Sequence, residues 1–235
     1  MRVELSGVTQ GRNAEDLPAT STSFASGSVT LAVTETEQRP TVLGLIASGR
    51  MRPSTGTVTI DGRADARALR RRVALVDAPG VSDPDAGVPL VGVVAEELMF
   101  AGQRADPLAA RRWLDGRGLR PLASTAIADI EPTTRLRVLC ELAVLRPHVE
   151  GMVVTAPDRH GGQPLDWWTL FGEFADRGFA VLAVAGRASE WAITHADVIL
   201  RAEAAEQTLR NSLGAFDERT AAWAQSGGGV GVENA

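Results

Sequence analysis

The chain has 235 residues, of which 44% are hydrophobic, and this predicts a core large enough to fold without disulfides or metals. Its formal net charge of −5 argues against a broad basic surface for nucleic acid. All 24 basic residues are arginine, which excludes every mechanism that needs a lysine, such as a phosphate-binding lysine or a Schiff base.

Targeting and redox signals are sparse. Cys140 is the single cysteine, so no internal disulfide can form. The start, MRVELSGVTQ, lacks the apolar core of a signal peptide. No uncharged apolar run approaches the roughly 18 residues that a membrane-spanning helix needs. These features predict a cytoplasmic protein, at most peripheral at the inner face of the cell membrane.

Strands are predicted in chain order from short apolar runs that do not alternate with polar residues. Such runs are typical of parallel strands covered on both faces, and they occupy residues 29–33, 73–76, 151–155 and 180–185. The segment GTVTIDG, residues 56–62, alternates better and predicts an antiparallel or edge strand that ends in a turn.

Helical patterns separate the predicted strands. Residues 41–49, 135–145 and 164–178 have helical spacing or helix-boundary residues, so strands and helices alternate as in an α/β fold with a mainly parallel sheet. Between residues 79 and 132 the strand signal fades, and residues 89–102 and 106–118 predict helices of an inserted subdomain.

Two further segments have simple interpretations. LVDAPG, residues 75–80, predicts a strand end followed by a turn, and DRHGG, residues 158–162, predicts a solvated turn. The three histidines are far apart in sequence and have no ligand-like spacing to the cysteine, so no metal site is predicted.

A family resemblance lies in the order and spacing of these segments. The run ASGRMRPSTGTVTIDGR, residues 47–63, is its most specific part, and the alignment extends without a gap back to residue 27. LRRRVALV, IEPTTRLRVLCELAVLRP, GMVVTAPDRHGG and AVLAVAGRASEWAITHADVIL then follow in the family's order. Over about residues 1–205 the chain resembles the ATP-binding proteins of ABC transporters.

This resemblance implies a P-loop NTPase-like three-layer core with a mainly parallel sheet, an N-terminal antiparallel β portion and an inserted helical subdomain. We therefore predict a single domain over residues 1–235. Its core lobe would comprise residues 1–78 and 136–205, and its helical subdomain residues 79–135. A C-terminal helix would follow at residues 206–225, and a flexible tail at residues 226–235.

The chain departs from the family at the phosphate-binding loop, Walker A. By the alignment, Thr34 and Arg39 stand where the family has glycines, and Pro40 stands where it has lysine. Proline has no N–H group to direct at a phosphate. Thr41 alone keeps a hydroxyl that could reach magnesium.

The other nucleotide-site positions implied by the resemblance differ as well. Thr155 and Ala156 replace the Walker B aspartate and the catalytic glutamate. Ala78 replaces the Q-loop glutamine, Gly186 replaces the switch histidine, and EPTTR at residues 131–135 replaces the signature SGGQR. The resemblance thus implies a retained fold with no catalytic residues, no bound cofactor and no metal.

Glu35 and Glu37 lie in the altered first loop. Our hypothesis is that a carboxylate there occupies part of the phosphate's place and caps the following helix, a pairing worth about 0.3–1 kcal/mol. The alternative is a solvated acidic loop without a cap.

These observations predict a catalytically inactive ABC-type subunit with a protein partner, either an intact ATPase subunit or a membrane permease. Homo- or heterodimers fit this prediction, and residues 92–98 lie near the surface by which the family contacts a permease. One alternative is a subunit that binds ATP and magnesium weakly and supports hydrolysis only in a heterodimer. Another is a stand-alone regulatory protein that reuses the fold.

Overall fold

The computed structural model describes residues 1–34 and 38–196. Two sheets organise this part of the chain. The antiparallel sheet has the order β2-β1-β4, with β1 (Arg2–Gln10), β2 (Leu17–Ala25) and β4 (Thr55–Ile60). The parallel sheet has the order β3-β7-β6-β5, with β3 (Ser28–Val33), β5 (Val73–Val76), β6 (Gly151–Thr155) and β7 (Ala180–Ala185). The four predicted parallel strands and the predicted edge strand are confirmed.

Seven α-helices lie between or after the strands in the described part of the chain. They are α1 (Gln38–Ala47), α2 (Ala66–Arg72), α3 (Leu90–Phe100), α4 (Pro107–Asp115), α5 (Pro132–Ala143), α6 (Pro164–Asp176) and α7 (Arg187–Thr194). Proline in the first turn of α4, α5 and α6 is accepted because its missing N–H group would have no helical partner there. Helix α1 ends before Gly49, whose φ of 72° suits glycine.

The parallel sheet is the middle of three layers, because both faces of its strands are buried. Alternate residues point to opposite faces. Val73 and Leu75 join a cluster with α1 and the antiparallel sheet, whereas Ala74 and Val76 join a cluster with α3, α5 and α6. This explains why the sequence shows unbroken apolar runs in these strands.

Helices α3 and α4 fill the segment between β5 and α5 and share the second cluster, through residues such as Leu90 and Leu114. Residues Met1–Ile193 form one compact unit. The predicted C-terminal helix and tail lie outside the described residues. Within the described part, no helix is both long and apolar enough to cross a membrane.

Helix α5 also carries Cys140, which is completely buried. Burial raises the pKa of its thiol, and the negative charges of Asp77 and Glu141 raise it further. Cys140 is therefore an inert core residue rather than a reactive thiolate.

Candidate functional site

The positions assigned by resemblance gather at the carboxyl edge of the parallel sheet. The backbone N–H of Thr34 donates to Ala185 O at 2.9 Å, and that of Ala156 donates to Val184 O at 2.8 Å. Gly186 follows β7 directly, and Ala78 lies two residues beyond β5. Open α/β sheets bind ligands at this edge. The strands thus bring together five of the predicted positions, Thr34, Ala78, Thr155, Ala156 and Gly186.

The first loop is described only in part. Arg39, Pro40 and Thr41 lie in the first turn of α1, and Pro40 is buried. Glu35 and Glu37 lie outside the described residues, so the carboxylate cap on α1 stays a prediction.

Thr155 faces α1 at close range. A Cβ atom added to Gly44 of α1 would lie 2.4 Å from Thr155 Cγ2, so this approach of helix and strand depends on glycine. Thr155 is completely buried. The buried hydroxyls of Thr34 and Thr155 make no hydrogen bond within the part of the chain that the structure describes.

A buried ionic cluster lies beside these positions, centred on Asp77. Asp77 is 1% exposed and Arg135, in the first turn of α5, is 2% exposed. Asp77 Oδ1 accepts hydrogen bonds from Arg135 Nη2 at 2.6 Å and from Arg159 Nη2 at 2.9 Å. Arg159 also donates to the carbonyl oxygens of Asp77 and Thr155, and Arg135 donates to Ile127 O. The cluster ties β5, α5 and the turn after β6 to one another.

The carboxylate of Asp77 stays ionised because of these neighbours. Burial by itself raises its pKa. The nearby imidazole of His160, the hydrogen bond from Arg135 and the charges of Arg159 and Arg135 outweigh burial, so the pKa lies below its ordinary value. His160 Nε2 lies 3.5 Å from Asp77 Oδ2, an ion pair when the imidazole is protonated.

The amino end of α5, which the sequence alignment matches to a signature loop, is capped by the side-chain carboxylate of Glu131. Glu131 Oε1 accepts from the N–H of Thr133 at 2.8 Å, and Oε2 accepts from that of Thr134 at 2.7 Å. Burial raises the pKa of Glu131, but these hydrogen bonds outweigh burial and lower it. A helix N-terminus attracts anions, and here a side chain of the chain itself fills that place.

At the end of β7, Gly186 lies beside a polar pair. Ser189 Oγ donates to Asp158 Oδ2 at 2.6 Å, and Ser189 is buried. A Cβ atom at Gly186 would lie 4.0 Å from the same Asp158 oxygen. Glycine at this position is therefore not required by crowding.

The structure corrects one prediction and adds residues that sequence reasoning missed. The predicted solvated turn at residues 158–162 is wrong for Arg159, whose guanidinium reaches the buried Asp77. A 3-10 turn, Pro157–His160, carries it there. The segments LVDAPG and EPTTR contain Asp77, Glu131 and Arg135, but no ionic or capping role was predicted for these three residues. A signal for Arg135 existed, because it lies one turn before Val138 and Leu139 on the apolar face of α5.

A groove opens beside the cluster, between the turn after β5 and α3. Its cavity is about 460 Å³, and its lining includes Val81, Val93 and Phe100. Val81 and Phe100 are 51% and 55% exposed. Arg146 Nη2 donates to Glu97 Oε2 at 2.6 Å at its border. The groove therefore combines exposed apolar side chains with an ion pair, as protein-binding surfaces do.

No protein-family model and no curated protein sequence matches the chain, but solved structures do. An ATP-binding subunit of an ABC transporter is 18% identical, with 79% of this chain and 80% of that chain covered and a TM-score of 0.53. A putative ABC transporter ATP-binding protein from Pyrococcus furiosus is 12% identical, with 79% and 92% covered and a TM-score of 0.58. A Clostridium perfringens subunit of the cbiONQ ABC transporter complex is 14% identical, with 78% and 77% covered and a TM-score of 0.54. The chain therefore has the P-loop NTPase fold of ABC ATP-binding subunits.

Proposed function

We propose that the chain is a catalytically inactive, ABC ATPase-like subunit that acts through protein contacts. The observation that carries this proposal is the charge arrangement at the carboxyl edge of the parallel sheet. Thr155 and Ala156 offer no carboxylate at the end of β6, and the nearby carboxylate of Asp77 is already held by Arg135 and Arg159.

The residues at this edge do not fit magnesium and a nucleotide. Magnesium binds through carboxylates, phosphates and water, and a free carboxylate is missing where Walker B would supply one. Pro40 offers no N–H group in the first turn of α1, and the chain has no lysine to hold phosphate. Glu131 fills the N-terminus of α5, where the resemblance places contact with a partner's nucleotide. No step of ATP hydrolysis is assigned to the chain.

The partner in this proposal is an intact ATPase subunit or a membrane permease. The groove beside Val81 and Phe100 supports the permease, because its lining includes Val93, Glu96 and Glu97, and the resemblance places a permease contact near residues 92–98. One solved neighbour is itself part of a transporter complex. In this proposal the chain lies in the cytoplasm, peripheral at the inner face of the cell membrane.

Nucleotide binding tests the inactive assignment. We expect isothermal titration with ATP and magnesium to show no binding at the carboxyl edge of the parallel sheet, with an intact ABC ATP-binding subunit as the positive control. ATP bound at this edge with a dissociation constant below about 100 µM, roughly −5.5 kcal/mol, would contradict the proposal. That result would favour the subunit that binds ATP in a heterodimer.

Partner capture tests the protein-contact assignment. The tagged chain should retain an ABC ATPase subunit or a permease from native membranes, and Phe100→Glu should lose a permease. Leu108→Glu is the matched control, because Leu108 is 53% exposed and does not line the groove. Equal capture of a permease by both variants would place the contact elsewhere, and capture of neither class of partner would favour a stand-alone protein.

A further inference from the structure

A second cavity, of about 500 Å³, lies at the other end of α1 from the positions above. Its walls come from residues 49–54, the start of β4 and α2, and Arg50, Arg52 and Arg70 line it. Arg50 Nη1 donates to the carbonyl oxygen of Val73, the first residue of β5, at 3.0 Å. The cavity is therefore at the amino edge of the parallel sheet.

The surrounding segment is strongly basic within an acidic chain. Residues 50–72 contain seven arginines and only two aspartates, whereas the whole chain has a net charge of −5. Both aspartates are already engaged. Asp65 caps α2 by accepting from two backbone N–H groups, and Asp61 pairs with Arg72 at 2.7 Å. Neither aspartate pairs with the arginines of the cavity.

The three guanidinium groups of the cavity have no anionic partner. Among residues 1–34 and 38–196, no carboxylate oxygen lies within 4.0 Å of Arg50, Arg52 or Arg70. Arg50 and Arg70 each use Nη1 on main-chain carbonyls, including that of Gly49 at 2.9 Å from Arg70. Their remaining N–H groups make no hydrogen bond in that same described part. Burial, then the like charges of Arg146 and Arg70, lower the pKa of Arg50, as expected for cations gathered without a counter-charge.

We propose that this cavity binds a phosphate-bearing anion. A guanidinium group presents a planar fork of donors that matches phosphate oxygens, and three such groups at one solvent-accessible cavity favour an anion with more than one negative charge. The volume is in the range of about 300–1,000 Å³ that is typical of small-molecule sites. Ser54 lines the cavity and adds an exposed hydroxyl. The phosphate belongs to a free compound or to a lipid headgroup, and the two sources are separable by experiment.

The test pairs two probes with two double variants of equal charge. Pyrophosphate is titrated at constant ionic strength, and flotation with phosphatidylglycerol vesicles is compared with neutral vesicles. Arg50→Gln with Arg70→Gln should weaken binding roughly a hundredfold, since two charge-assisted contacts are lost. Arg111→Gln with Arg112→Gln removes the same charge from exposed positions on α4 and should leave binding unchanged.

Each outcome decides the proposal. If the cavity variant loses pyrophosphate binding and the control variant keeps it, the ligand is a free compound. If the cavity variant instead loses only vesicle binding, and the control variant keeps it, the ligand is a lipid headgroup. No binding in either arm, or equal loss in both variants, overturns the proposal. Arg52→Gln is a further variant, because Arg52 makes no hydrogen bond among the described residues whose loss could unfold the chain, and it should weaken binding about tenfold.

The same variants separate this inference from the proposed function. ATP bound by the wild type but not by Arg50→Gln with Arg70→Gln would be bound in this cavity through its phosphates. A second result is that the wild type and this variant bind ATP equally while pyrophosphate binding still depends on Arg50 and Arg70. It would contradict the inactive assignment and leave the phosphate-binding cavity standing.

Discussion

The two edges of the parallel sheet treat their arginines differently. At the carboxyl edge, Arg135 and Arg159 share the carboxylate of Asp77. At the amino edge, Arg50 and Arg70 line a cavity, and no carboxylate oxygen of the described residues lies within 4.0 Å of their guanidinium nitrogens. Arg135 is buried and Arg159 is half-buried, and both guanidinium groups are held by contacts within the chain, whereas the hydrogen-bonding groups of Arg50 and Arg70 are satisfied only in part. The difference teaches that arginine here has two roles. Where an internal anion is supplied, it joins elements of the fold, and where none is supplied, it remains available to a ligand.

The largest expected effect comes from removing the anion of the first edge. Asp77→Asn leaves buried Arg135 without a counter-charge, and it should lower the free energy of unfolding by about 3–5 kcal/mol. Asparagine tolerates the left-handed backbone of this position, where φ is 53°, so the change isolates the charge. Urea denaturation measures the loss. Asp83→Asn is the control, because Asp83 meets Arg159 only at 3.5 Å and is partly exposed. A loss below about 0.5 kcal/mol for Asp77→Asn would break the comparison.

The same carboxylate should make stability depend on acid. Its pKa is lowered by folding, so its contribution is fully present above the unfolded value of about 3.9 and is lost as pH falls through the folded value. The free energies of unfolding of His160→Gln and of His160→Gln with Asp77→Asn should differ by a constant amount between about pH 5 and 7 and converge below about pH 4. Both are measured in a His160→Gln background, which removes the imidazole beside Asp77. If the two free energies of unfolding differed by the same amount down to about pH 2, the lowered pKa of Asp77 would be contradicted.

A smaller effect is expected at the cap of α5. Glu131→Ala removes the acceptor of two N–H groups and should cost about 1 kcal/mol, measured by the same denaturation. Glu131→Gln keeps an acceptor oxygen and should lose less. Equal stability of all three proteins would show that water replaces the carboxylate without loss.

The smallest effect is expected at the amino edge. Arg52→Gln should change the free energy of unfolding by less than about 0.5 kcal/mol, since Arg52 is exposed and pairs with no described carboxylate. Thermal denaturation in a chloride buffer that contains no phosphate measures this change. Destabilisation by more than about 1 kcal/mol would mean that this arginine is also structural, and the contrast between the edges would weaken.

The elements of the fold were predictable where one local pattern decided them. Residues 73–76, 151–155 and 180–185 are strands as predicted, because a strand covered on both faces needs apolar residues throughout. Helix α5 begins at Pro132, three residues before its predicted start, since Glu131 supplies the cap that the apolar pattern does not show.

For the candidate site, the sequence predicted which residues lie together but not the ionic contacts around them. The strand order brings Thr34, Ala78 and Thr155 to one edge, and an aligned sequence carries that information. The pairing of Asp77 with Arg135 and Arg159 spans 58 and 82 residues, so no local spacing indicates it. It forms only because tertiary packing places α5 and the turn after β6 over the end of β5.

Cys140 gives the chain a natural reporter of motion in α5. It is the single thiol of the whole sequence, and in the described structure it is completely inside the core. A small aromatic disulfide reagent can modify it only in molecules whose core has opened around this helix. The rate at which the coloured aromatic thiolate is released should therefore measure how often α5 separates from the sheet. No engineered label is needed, because no other cysteine competes for the reagent.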